Sequence, residues 1–168
     1  GLSDDQPLGS YALLMGIVLM IAGFGFKITA VPFQMWAPDV YEGSPSPVTA
    51  FLSVASKAAG FAVILRVFYV GFPLETLSIE WSAMFAVLAA LSMSLGNLVA
   101  ISQNNIKRML AYSTVAHAGY LMVGLAAVTA RVSEGQGAIG PSGVLFYLGG
   151  YAVMNLAAFS AVIAISNR

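Results

Sequence analysis

Gly25-Phe26-Lys27-Ile28-Thr29-Ala30-Val31-Pro32-Phe33-Gln34-Met35-Trp36 places a lysine and a proline inside one long apolar run. The run starts near Leu8 and continues to Val31, long enough for a membrane-spanning helix. Pro32 has no amide hydrogen and disfavours helical geometry at Val31, yet Phe33, Met35 and Trp36 keep the stretch apolar. The expected form is a helix broken near Lys27–Pro32, with a short second half over about Pro32–Trp36. Such breaks persist at membrane depth only where protein or a water-filled cavity satisfies the freed backbone groups. They recur at transporter binding sites.

Outward from the break, Pro38-Asp39-Val40-Tyr41-Glu42-Gly43-Ser44-Pro45-Ser46-Pro47 reads as a loop of turn formers, with Asp39 and Glu42 facing solvent. A second apolar segment covers about Val48–Val70, with Lys57 near its middle and Arg66 able to snorkel near its end. A third covers about Ile79–Ile101, and Tyr69 and Trp81 flank the preceding loop at interfacial depth. The fourth, about Ile106–Ala130, opens after Asn105 as a cap and carries His117 near its centre. After a Gly/Ser-rich loop over Ser133–Ser142, the fifth covers about Gly143–Ile165, with Asn155 midway.

Only 8% of the 168 residues are charged, against about 25% in soluble domains, so the chain belongs in a membrane. The expected fold is all-α: a polytopic bundle of five transmembrane segments forming a single domain over residues 1–168. Net charge is zero and there is no basic run, which argues against a nucleic-acid partner. The absence of cysteine excludes disulfides and cysteine-held iron–sulfur clusters. With one histidine, no phosphate-cradling glycine loop and no hydrolytic triad, neither a metal centre, a cofactor site nor a catalytic centre is expected in the chain. The chain begins at Gly1 without a signal-peptide pattern, as expected of an internal piece of a longer membrane protein. Lys107, Arg108 and Arg168 outnumber Arg66 and Arg131 by one, pointing to the Asp39 side as cytoplasmic.

Lys27 lies eleven residues before Pro38 and Lys57 ten after Pro47, so both sit roughly 15–17 Å from the shared loop at 1.5 Å per helical residue. That is near the middle of a hydrocarbon core about 30 Å thick. A lysine there costs about 2.5–3.5 kcal/mol on insertion scales, so its presence suggests chemistry. Burial can bring a lysine to a range where it loads and releases a proton near neutral pH, and histidine titrates there already. Lys27, Lys57 and His117 therefore form a candidate proton relay, bridged by water. For His117 the competing reading is an interhelical hydrogen bond; Lys107 and Arg108 read as interfacial anchors. No Asp or Glu is expected inside the five segments, so a carboxylate partner for a midplane lysine would come from outside the chain.

The blocks Gly25-Phe26-Lys27-Ile28, Val31-Pro32-Phe33-Gln34-Met35-Trp36-Ala37-Pro38-Asp39-Val40-Tyr41-Glu42-Gly43 and Ser44-Pro45-Ser46-Pro47 through Ser56-Lys57 resemble the subunit N family of proton-pumping NADH–quinone oxidoreductase, respiratory complex I. So do Gly96-Asn97-Leu98, Asn105-Ile106-Lys107-Arg108-Met109-Leu110-Ala111-Tyr112-Ser113-Thr114 and Ala116-His117-Ala118-Gly119-Tyr120. The resemblance implies an antiporter-like membrane subunit with discontinuous helices and a midplane row of charges. Lys27 would be the lysine of the broken helix, Lys57 the next in the relay, and His117 an assistant. Gln34, Asp39, Glu42 and Lys107 would play supporting parts. Gln34 stands where many relatives carry His, and its amide hydrogen-bonds without titrating. The resemblance further implies that NADH, FMN, iron–sulfur clusters and quinone are bound by other parts of the complex. Other membrane subunits would be the partners and a bacterial plasma membrane the location. Thylakoid or mitochondrial inner membranes, a ferredoxin donor, and a cation/proton antiporter using the same lysines remain open alternatives.

Overall fold

The computed structural model describes residues 7–71, 74–127 and 139–166. Helix α1 spans Pro7–Ile28, α2 Trp36–Gly43 and α3 Ser46–Phe51. A π-helical turn, Leu52–Ser56, leads into α4 (Lys57–Arg66), and a second π turn, Val67–Gly71, follows it. Helices α5 (Leu74–Ile101), α6 (Ile106–Ala126) and α7 (Ile139–Ser166) complete the chain. Five of these stretches, counting Ser46–Tyr69 as one, are long and apolar enough to cross a membrane. The fold is an all-α polytopic bundle.

The break after α1 is real, but the chain resumes helix later than the apolar pattern suggests. Residues 29–35 are irregular, and α2 begins at Trp36, where the run of turn formers suggested a loop. Pro38 does not prevent this, because it lies in the first turn, where its missing N–H would have no intrahelical partner anyway. Pro47 in α3 and Pro141 in α7 are tolerated for the same reason. Helix α7 consequently starts at Ile139, inside the expected Ser133–Ser142 loop, whose first residues lie outside the described ones, as do Arg131 and Arg168. Helix α5 also starts early, at Leu74, so Glu75 and Glu80 belong to it, ahead of its membrane-length part Trp81–Ile101. The expectation of five apolar segments free of carboxylates fails at Glu80, which lies inside the expected Ile79–Ile101 stretch.

Helices α5 and α6 are joined by a four-residue connection and make the most extensive contact in the bundle. Two glycines permit it. A methyl group on Gly96 would lie 2.6 Å from the Ala116 amide nitrogen, and one on Gly119 2.9 Å from the Ala89 carbonyl oxygen. Small residues let helix backbones approach where apolar burial gives no preference for protein over lipid. Asn105 caps α6 as expected, its Oδ1 accepting from the Lys107 amide at 2.9 Å.

Trp81, the first residue of the membrane-length part of α5, is fully buried within the bundle. Its ring packs 5.5 Å from Phe68, 5.8 Å from Tyr69 and 6.2 Å from Phe85, building an aromatic core between the end of α4 and the start of α5. A smaller apolar cluster, Tyr41, Ala50, Ala111 and Phe159, fixes α2 and α3 against α6 and α7. Between these two cores lies the polar interior.

Candidate proton-path site

Lys57 is 2% exposed and is the one lysine fully inside the bundle among the described residues. The preceding π turn also buries Ser53, whose carbonyl accepts a hydrogen bond from the Tyr151 hydroxyl at 3.1 Å. Lys57 Nζ donates to Thr29 Oγ1 at 2.8 Å and to the Thr114 carbonyl oxygen. Three elements thus meet at one ammonium: the break after α1, the start of α4 and the middle of α6. Among the described residues no carboxylate lies within ion-pair reach of it. Both acceptors are neutral, and that suits a group that must exist with and without its charge. A carboxylate would hold the charged form in place.

The break supplies one of those acceptors through an unusual helix end. The Ala30 amide donates to the Gly25 carbonyl at 2.8 Å and the Thr29 amide to the Phe26 carbonyl at 3.3 Å. This pair of bonds is the Schellman ending, whose left-handed residue is usually glycine. Here that residue is Thr29, at φ 63°. The left-handed conformation costs an L-residue with a Cβ roughly 1–2 kcal/mol. Thr29 is 1% exposed, and its hydroxyl also donates to the Ile28 carbonyl at 2.5 Å.

Other backbone groups in and beside the break find partners on neighbouring elements and within the turn. The Val31 amide donates to Ser92 Oγ of α5 at 2.9 Å, the Trp36 indole to the Phe26 carbonyl at 3.0 Å, and the Phe33 amide to the Ala30 carbonyl at 2.7 Å. The sequence-level requirement that protein satisfy a broken helix is met through Ser92 and Trp36. Gln34 also lies in the break, and its Oε1 is buried without a hydrogen-bond partner.

Lys27 occupies the last turn of α1, where a cation complements the negative end of the helix dipole. Its side chain is exposed in this chain, in contrast to Lys57. Its stem runs beside α4: a methyl group on Gly60, one turn beyond Lys57, would lie 3.6 Å from Lys27 Cγ. The two lysines therefore flank one helix boundary, connected through Ile28 and Thr29.

His117 is half-buried one turn beyond Thr114 on α6. Its Nδ1 lies 2.6 Å from the Tyr147 hydroxyl, and its ring packs against Tyr120, Tyr147 and Tyr151. The interhelical hydrogen bond is thus present, and its partner is Tyr147. The histidine stands on the Lys57 side of α6 through two links: Thr114 contacts Lys57, and Tyr151 contacts both the His117 ring and the Ser53 carbonyl. Asn155 is buried and donates to the Tyr151 carbonyl within its own helix.

At the α2 end the structure corrects two readings. Asp39 and Glu42 are not simply solvent-facing turn residues, nor is Arg108 only an interfacial anchor. Arg108 Nη1 bridges Asp39 Oδ1 at 2.9 Å and Glu42 Oε2 at 2.7 Å. Asn105 Nδ2 donates to Glu42 Oε1 at 2.9 Å, and Lys107 Nζ to the Ser44 carbonyl at 3.0 Å. The spacing of Asp39 and Glu42 puts both carboxylates on one helix face, toward the positive end of α6. Tyr41, between them, turns the other way and is buried against Phe159. Burial pushes its phenol up to about 12, an effect opposed in part by a hydrogen bond with the Thr114 side chain. Sequence reasoning missed Thr29, Thr114, Tyr147, Tyr151 and Arg108 as contributors.

Residues 3–168 match the family described as NADH:quinone oxidoreductase/Mrp antiporter, TM. The chain is 57% identical over 155 residues to NADH-quinone oxidoreductase subunit N of Dehalococcoides mccartyi, covering 91% of this chain and 31% of that one. It is 52% identical over 168 residues to NAD(P)H-quinone oxidoreductase subunit 2 of Picosynechococcus, covering 100% of this chain and 30% of the relative. Among solved structures, respiratory complex I from Thermus thermophilus with bound aureothin contains a chain that matches with TM-score 0.66 and 40% identity, over 88% of this chain and 30% of that one. The chain thus spans about a third of the length of the relatives it matches. With the broken helix, Lys27 at its end, Lys57 at the start of α4 and this match over nearly every residue, the chain belongs to the NADH:quinone oxidoreductase/Mrp antiporter transmembrane family.

Proposed function

We propose that these helices are the central part of a subunit N-type membrane protein that moves protons, coupled to quinone reduction elsewhere in an NADH–quinone oxidoreductase. The observation that carries this reading is the setting of Lys57, a buried amine held, among the described residues, by neutral oxygens at the meeting point of a broken helix, a π turn and α6. Lys57 is the central carrier. Lys27 exchanges with it on the α1 side, and His117, with Tyr147, receives or returns protons on the α7 side. Water bridges the gaps. Gln34 offers its buried oxygen to such water within the break, while Asp39, Glu42 and Lys107 hold α2 in place.

The chain works as one transmembrane unit within a longer subunit. In this reading the redox groups (NADH, FMN, iron–sulfur clusters and quinone) belong to other subunits, and this chain performs no electron transfer. Its partners are neighbouring membrane subunits and lipid, and its location is a bacterial plasma membrane. A second reading, cation/proton exchange without redox drive, is favoured by the family description, which joins oxidoreductase and antiporter members.

The test is Lys57→Ala in the full-length subunit, with assembly of the complex verified in membranes. Redox-driven proton uptake is recorded together with NADH–quinone turnover. Uptake is expected to fall by about a hundredfold or more, the scale of losing a positioned proton-transfer group. Wild-type uptake in the assembled variant would refute the relay. Uptake that follows an imposed sodium gradient and ignores NADH would favour the exchange reading.

A further inference from the structure

Thr29 stands at a helix end where glycine is the usual residue. It has a β-branched side chain, which makes positive φ especially unfavourable. Strain of this kind persists where the surroundings over-determine it, and it clusters at functional sites. Besides a methyl group, what the threonine brings that glycine lacks is a buried hydroxyl. That hydroxyl makes two hydrogen bonds of opposite sense: it accepts from Lys57 Nζ at 2.8 Å and donates to the Ile28 carbonyl at 2.5 Å.

We propose that Thr29 is a positioning residue whose hydroxyl reports the charge of Lys57 to the end of α1, where Lys27 sits. An ammonium has three N–H donors and no lone pair, so it can only donate to Thr29 Oγ1. The hydroxyl proton is then directed at the Ile28 carbonyl. Once a water molecule has taken a proton from Lys57, the amine has a lone pair. The Thr29 O–H can rotate and donate to Nζ, while one amine N–H stays on the Thr114 carbonyl. The Ile28 carbonyl loses its hydroxyl donor in that state. The peptide next to Lys27 thereby differs between the two charge states of Lys57, with no covalent change and no large displacement. A glycine at this position would relieve the backbone and break the link.

This inference rests on the proposed lysine route and deepens it, so the test carries Lys57→Ala as its reference. Thr29→Gly and Thr29→Ser are introduced into the full-length subunit, and proton uptake per quinone reduced is measured in membranes with verified assembly. Thr29→Gly fits the left-handed backbone better than the native residue, so a purely structural role predicts unchanged or improved behaviour. The proposal predicts the reverse: uptake falls by about tenfold in Thr29→Gly and stays within about twofold of wild type in Thr29→Ser. Thr29→Val, which keeps the branched shape without the hydroxyl, should match Thr29→Gly.

Wild-type uptake in either Thr29→Gly or Thr29→Val overturns the proposal, as does an equal loss in Thr29→Ser. Failure of both hydroxyl-free variants to assemble, with Thr29→Ser assembling, assigns Thr29 to folding and overturns it too. If Lys57→Ala itself pumps normally, the lysine route has failed. If Lys57→Ala collapses while Thr29→Gly pumps, only the coupling through Thr29 has.

Discussion

Two cations of this bundle are held in opposite ways. Arg108, at the bundle end, is given two carboxylates, Asp39 and Glu42, on a neighbouring helix. Lys57, inside, is given a hydroxyl and a backbone carbonyl. The burial energetics alone would assign them the other way round, since desolvated charge is the one that most needs a counter-charge. The Arg108 bridge is a fastener built on a guanidinium, which stays protonated. The buried amine keeps acceptors that tolerate both of its states, and that separates an anchoring cation from one suited to carry a proton.

The contrast can be broken most severely at its interior end. Lys57→Leu should remove redox-driven proton uptake by about a hundredfold, at the lower edge of the range for a positioned acid–base group, while the complex still assembles. Uptake measured in sealed membranes checks this. A smaller loss should follow from importing the boundary solution into the interior. Thr29→Asp tolerates the left-handed conformation and places a carboxylate beside Lys57. The pair is then locked in its charged form, and uptake is expected to fall about tenfold. A variant pumping at the wild-type rate would show that neutral acceptors are not required.

Tyr147→Phe, which strips the hydroxyl from His117 Nδ1, should lower uptake about threefold, the scale of one hydrogen bond. No change would place His117 outside the path. Arg108→Gln is expected to leave uptake within about twofold, because exposed ion pairs contribute little. Its effect on heat inactivation should shrink in high salt, which screens such pairs. A tenfold loss of uptake there would erase the distinction between fastener and carrier.

The broken first helix and the depth of Lys57 were legible because each violates a strong rule: a proline in an apolar run, and a lysine far from either interface. Five membrane-length stretches followed from composition. Helix α2 was not legible, because Pro38 and the residues after it carry turn preferences, and only packing of Tyr41 against Phe159 and the Arg108 bridge reveals why they coil. Trp81 reads as an interfacial anchor in any sequence; its burial depends on Phe68 and Phe85 arriving from two helices. Thr29 was the hardest. A helix ending on threonine sends no local signal, and its role exists only once α4 brings Lys57 to it. The one available hint was negative: α1 stops without a glycine at the position where such endings usually have one.

The close contact between α5 and α6 has a mechanical consequence for the lysine. Gly96 and Gly119 let those two helices meet backbone to backbone, with a short connection at one end. Thr114 rides on that stiff pair, so the carbonyl it offers to Lys57 is a fixed seat. Thr29 belongs to irregular chain tied down by single contacts such as Ser92 and Trp36, so its oxygen is a sprung one. Lys57 is gripped between an anvil and a leaf spring. In the proposed relay, a displacement of α1 would loosen the Thr29 contact and leave Lys57 Nζ on the Thr114 carbonyl, on the helix that carries His117.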